Sequence, residues 1–101
     1  MSEEVSPASA AAPQWRAVPR EQLAWLSFDE QCVVYHRPSG KTHFLNAASA
    51  QLIREVLLEP RTAGSAAAGL AGVEAGPDYV ELVTGLLLRL EELGLVVRCP
   101  S

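Results

Sequence analysis

Cysteine is scarce in this sequence. The two present, Cys32 and Cys99, stand far apart without C-x-x-C spacing, which excludes a zinc knuckle and a thioredoxin-like redox pair. In a reducing cytosol both are expected to be free thiols, Cys32 packed within a strand and Cys99 beside the terminus. Basic charge is also in short supply: eight Lys and Arg against twelve Asp and Glu give a net charge of -4 and a pI near 5.0. That balance argues against a nucleic-acid partner, because such affinity rests on cations neutralising phosphates. Apolar runs are short. Leu86-Leu87-Leu88 falls far below the ~20 residues needed to cross a bilayer. The opening Met1-Ser2-Glu3-Glu4 is acidic where a secretory signal is basic, and no apolar stretch follows it. The expectation is a cytoplasmic protein with no membrane partner.

Catalytic constellations are missing as well. There is no G-x-S-x-G and no Cys in a polar, electropositive setting, so nothing supplies an activated nucleophile. Gly64-Ser65-Ala66-Ala67-Ala68-Gly69 has the spacing of a phosphate-binding loop, but Leu70 and Ala71 stand where Lys and Ser or Thr belong. The acid pairs Glu3-Glu4, Asp29-Glu30 and Glu91-Glu92 read as tail, turn and solvated helix face. His36 and His43 flank a hairpin turn, and its register decides whether they share a sheet face. A three-residue loop pairs His43 with Tyr35 and puts the two imidazoles on opposite faces, whereas a four-residue loop is expected to pair them directly. No third ligand stands near, so no metal site is expected. The chain is expected to have no enzyme activity, no catalytic residue and no cofactor.

What remains is a chain of 101 residues with 49% hydrophobic and 20% charged residues, the make-up of a globular domain with room for one core. Residues 1–13, rich in Ser, Ala, Pro and Glu, are expected to form a disordered tail; the domain is placed at 14–98. Leu23 to Phe28, Gln31 to His36 and Lys41 to Leu45 read as three strands. Arg37-Pro38-Ser39-Gly40 joins the last two, with Pro and Gly where a type I turn closed by a left-handed residue wants them, predicting a three-residue hairpin loop. Asn46 can cap a helix running to Leu58. Pro60 ends it, and Thr62 opens a second, Ala/Gly-rich helix through Val73. Gly76-Pro77-Asp78 starts the last helix, which Gly94 stops.

The order strand, strand, strand, helix, helix, helix predicts an α+β domain: a three-stranded antiparallel sheet followed by three helices, winged-helix-like in arrangement. The far edge of the third strand is expected to lack a partner. On the last helix, Tyr79, Leu82, Val83, Leu86, Leu90 and Leu93 form the stripe expected to face the core. Val80 and Leu87, beside Thr84 and Glu91, form an apolar shoulder. Either the sheet or the Trp15 segment covers that shoulder, or it is the wall of a groove.

The run from Trp25 to Asn46 has an aromatic-rich first strand, Val33-Val34-Tyr35 in the second and Ser39-Gly40 at the turn, and ends in Thr42-His43-Phe44-Leu45-Asn46. With the later Leu90-Glu91-Glu92-Leu93-Gly94-Leu95-Val96, it resembles the pyrroloquinoline quinone biosynthesis protein D (PqqD) family, over about residues 15–97. The Thr-His-x-Leu-Asn stretch is most similar to the branch associated with HPr-kinase-related proteins. The resemblance implies a winged-helix-like peptide chaperone. Its ligand would be the unmodified leader segment of a ribosomally made precursor peptide, added as a strand to the third strand and packed against the third helix for a peptide-modifying enzyme. Thr42, His43, Phe44, Leu45 and Asn46 match one wall of that site, and Val80, Thr84, Leu87 and Glu91 the other. The Ala/Gly-rich second helix departs from the family pattern.

Two rival functions stand beside this one. A winged-helix DNA binder uses the same order of elements, but the last helix carries Asp78, Glu81, Glu91 and Glu92 against Arg89 alone and would repel phosphates. The other rival is a structural subunit that docks on an enzyme through the apolar shoulder. Unpaired strand edges can also satisfy each other, which leaves a homodimer open.

Overall fold

Short-range turn chemistry sets the first half of the domain in the computed structural model, which describes residues 12–28 and 31–99. Strands β2 (Leu23–Phe28), β3 (Gln31–His36) and β4 (Lys41–Leu45) form an antiparallel sheet in the order β2-β3-β4. Residues 1–11 of the expected tail, and the Asp29-Glu30 turn, lie outside the described residues.

The β3–β4 connection has four residues, not the three expected. His36 pairs with Lys41 and His43 with Val34. Ser39 accounts for the longer loop: its Oγ lies 2.8 Å from His36 Nδ1 and accepts from Lys41 N at 3.3 Å, while Gly40 N donates to the His36 carbonyl. In this register His36 and His43 share one face of the sheet, but the direct pairing expected of a four-residue loop is not found: with all four residues 37–40 in the loop, His36 faces Lys41, and His43 lies on the diagonal. That inner face also carries Leu23, Trp25, Val34 and Leu45, which pack on the core. The opposite face presents Leu26, Tyr35 and Phe44 to solvent.

Three helices cover the inner face. The first, α1, begins at Ala47 with Asn46 Oδ1 accepting from Ser49 N at 2.8 Å. It does not continue as the regular helix to Leu58 that the sequence predicts: after Gln51 it widens into a π-turn over Leu52–Val56, closed by Leu57 N on the Leu52 carbonyl. The widened end turns its last carbonyls to other partners, Leu57 O to Ala17 N and Val56 O to Arg61 Nε, which satisfies groups a helix terminus otherwise leaves open. Helix α2 (Ala63–Ala71) starts at the Thr62 cap. It packs close to α1 at Gly69, where an added Cβ would stand 3.2 Å from Val56 Cγ1. Helix α3 (Pro77–Glu92) ends in a Schellman turn: Gly94, at φ +83°, lets its own N–H reach the Glu91 carbonyl and Leu95 N reach Leu90 O.

The chain then forms a strand the sequence reading did not assign. β5 (Val96–Cys99) pairs antiparallel with β1 (Gln14–Ala17), giving a second, two-stranded sheet. Buried Trp15, Ala17, Leu95 and Val96 join the core with Val34, Leu52, Leu57, Val83, Leu87 and Leu90. The observed architecture is thus an α+β domain with a three-stranded antiparallel sheet and three helices, closed by a strand pair between its two ends. Cys32 and Cys99 are half-buried free thiols. No helix among the described residues is long and apolar enough to cross a membrane.

Candidate functional site

β4 pairs with β3 on one side only. Among the described residues no segment hydrogen-bonds to its other edge, so alternate residues of Lys41–Leu45 turn an N–H and a C=O away from the sheet with nothing to meet them. Leu45 is buried and anchors the strand, while Thr42 and Phe44 are exposed on the outer face. The Asn46 side chain, expected in the site, is engaged as the α1 cap.

His43 points from β4 to the inner side. Its Nε2 is sealed from solvent and has no hydrogen-bond partner among the described residues. Burial, and after it the positive charges of His36, Lys41 and Arg89, holds the imidazole below its ordinary pKa of 6.5. Arg89, on α3, is within range for its charge to act on His43. His36 and His43 share a face, but among the described residues no group of three His, Cys, Asp or Glu is placed to hold a metal.

The α3 wall is not the one the helical wheel suggested. Leu87, expected in the groove, has 0% exposure and lies in the core with Val83 and Leu90. Glu91 is turned toward the paired ends: Trp15 Nε1 donates to its Oε1 at 3.1 Å, and Arg98 Nη2 donates to the same oxygen at 2.8 Å. Thr84 Oγ1 is satisfied within the helix by the Val80 carbonyl, and Val80 is half-buried against the core. The shoulder is therefore covered, and Trp15 is part of the cover. Relative to the expected stripe the buried face is rotated by roughly 50° at 100° per residue.

That rotation moves the spare apolar surface to the other flank. Leu82, expected in the core, is 59% exposed. Leu86 and Leu93, half-buried, and Arg89 follow it at i+4, i+11 and i+7, one stripe along α3. On the strand, His43 and Lys41 stand on the inner side of the β4 edge; on α3, Leu82 and Arg89 are exposed and Leu86 packs half-buried against the core. The helical wheel places Leu82 and Leu86 in the core stripe, whereas Leu82 is exposed and Leu86 half-buried. The available signal was the C-terminal Val96-Val97-Arg98, whose strand pairs with β1 and brings Trp15 and Arg98 to Glu91.

The Glu91 contacts make a testable acid response. The hydrogen bond from Arg98, then that from Trp15, holds the carboxyl below its ordinary 4.5. A depressed folded-state pKa stabilises the folded state fully above the unfolded value, and the contribution fades as pH falls through the lower, folded one. On acidification below about 4.5, the Trp15 indole N–H resonance should shift and exchange faster as the clasp opens. In Glu91→Gln that pH dependence should vanish. Identical titrations of the two proteins would refute the assignment.

The solved structure of a lasso peptide synthetase B1 complexed with the leader peptide has a similar fold, with a TM-score of 0.58 at 22% identity, covering 82% of this chain and 96% of that one. No protein-family model matches the chain, and no curated protein matches it.

Proposed function

We propose that this chain is a non-catalytic peptide chaperone that binds the leader segment of a ribosomally made precursor peptide and presents it to a modifying enzyme. The observation that carries the reading is the outer edge of β4, which no described segment fills; on this reading the Leu82-Leu86-Arg89 flank of α3 forms the other wall. An extended segment adding there completes the main-chain ladder, and its alternate side chains enter the cleft, so affinity and selection come from separate parts of the same contact. A fold similar to that of a lasso peptide synthetase B1 complexed with the leader peptide supports this, as does the PqqD-like run from Trp25 to Asn46. On this reading the partners are the precursor peptide and a peptide-modifying enzyme. The chain itself contributes neither a catalytic group nor a cofactor, and the setting is the cytoplasm.

The test is selection of binders from a displayed library of unstructured fifteen-residue peptides, followed by amide exchange on the labelled chain with an enriched peptide. Protection should rise along Thr42–Leu45, with side-chain shifts at Leu82 and Leu86. Protection confined to other elements would exclude strand addition at β4.

A further inference from the structure

The sheet has a second edge, β2, at the side remote from β4. A groove of about 520 Å³ lies beside it, between the inner face of β2, the connection from β1 and the end of α1. Its floor is apolar: Leu23, Ile53 and Leu57 line it and are buried. Its rim is cationic. Arg16, Arg20 and Arg54 line the groove, against Glu21 as its acidic residue, in a chain whose net charge is -4.

These three arginines differ from most of the others. Arg61 is held by Val56 O, Ser65 and Glu59, Arg89 by Glu92, Arg98 by Glu91, and Arg37 by the Glu21 carbonyl. Among the described residues Arg16, Arg20 and Arg54 make no side-chain hydrogen bond or ion pair. Arg54 instead lies over the Trp25 ring, 4.8 Å from its centroid. Stacking orients a guanidinium plane and leaves the N–H groups at its edge free for a carboxylate, which that fork matches in a bidentate pair.

We infer that this groove is a second docking site, which takes from a protein partner a segment whose Asp or Glu side chains flank a bulky apolar one. The apolar side chain fills the floor over Ile53 and Leu57, and the carboxylates meet the rim. A nucleic acid fits less well, since three arginines around an apolar floor offer no track for successive phosphates. The groove and the β4 edge lie on opposite sides of the sheet, so both can be occupied at once. This second site needs nothing from the β4 edge and is independent of peptide capture there.

The probe is the acetylated, amidated hexapeptide Glu-Glu-Leu-Phe-Glu-Glu, titrated into the full labelled chain, with its Lys-for-Glu counterpart, a short DNA duplex and anionic vesicles as comparators. The acidic peptide should shift Leu23, Ile53, Leu57 and the Trp25 indole, and should weaken with salt; the basic peptide should not bind. The double variant Arg16→Glu/Arg54→Glu should lose affinity by about ten-fold or more and should still bind peptides selected on β4. If the charge reversal disturbs the amide spectrum, Arg54→Gln supplies the same comparison. Equal affinity in the variant, shifts along Thr42–Leu45 in place of the groove, or a response to DNA or vesicles without one to the acidic peptide would each overturn the assignment.

Discussion

Leu87→Glu should leave no folded protein. The side chain sits among Val83, Leu90 and the other core residues with 0% exposure. Truncating such a Leu already costs about 2–5 kcal/mol. A carboxylate in the same place must also lose its hydration without a partner. Against a total stability of about 5–15 kcal/mol for a domain of this size, the native state should be minor or absent. Circular dichroism and one-dimensional NMR of the purified variant would decide it. A cooperative melt with dispersed amide resonances would mean that Leu87 can reach solvent and that α3 turns a different face to the core.

Leu82→Glu is the complementary experiment, with the opposite outcome for folding. At 59% exposure the new carboxylate stays hydrated, so stability should change by no more than about 0.5 kcal/mol. On the proposed reading, binding of a peptide along β4 should nevertheless weaken by about ten-fold or more, equivalent to at least ~1.4 kcal/mol, because the charge must be desolvated where the peptide packs on α3. Isothermal titration with a library-selected peptide measures this. Unchanged affinity in a folded Leu82→Glu protein would remove α3 from the site, even if strand addition persisted. The two substitutions are five residues apart on one helix, and the contrast between them tests which face is covered.

The parts of the fold that were legible in the sequence are those fixed by neighbours. Pro38 and Gly40 marked the hairpin, Asn46 and Thr62 the helix starts, and Gly94 the stop, each through a main-chain demand met within a few residues. Where the outcome depended on distant contacts, local pattern failed. The four-residue loop follows from what the Ser39 hydroxyl touches, a choice that turn residues alone leave open. β1 and β5 are four residues each, too short to announce themselves, and they acquire strand character by pairing across almost the whole chain. That pairing also explains the misplaced wheel. Leu82 and Leu87 are equally apolar, so composition cannot say which is inside. The close approach of Ala66 and Ala67, both fully buried in the shared core, and the hold of Trp15 and Arg98 on Glu91 set the roll of α3. Of the two expected walls, the β4 edge is unpaired among the described residues as read, and the Val80-Leu87 shoulder is covered.

The pairing of β1 with β5 has an architectural consequence. A polypeptide whose first and last strands are hydrogen-bonded neighbours leaves the domain at the corner where it came in. Such a unit can be spliced into a surface loop of a larger host without prying that loop apart, so the geometry suits a cassette carried within a multidomain enzyme as well as a free-standing adaptor.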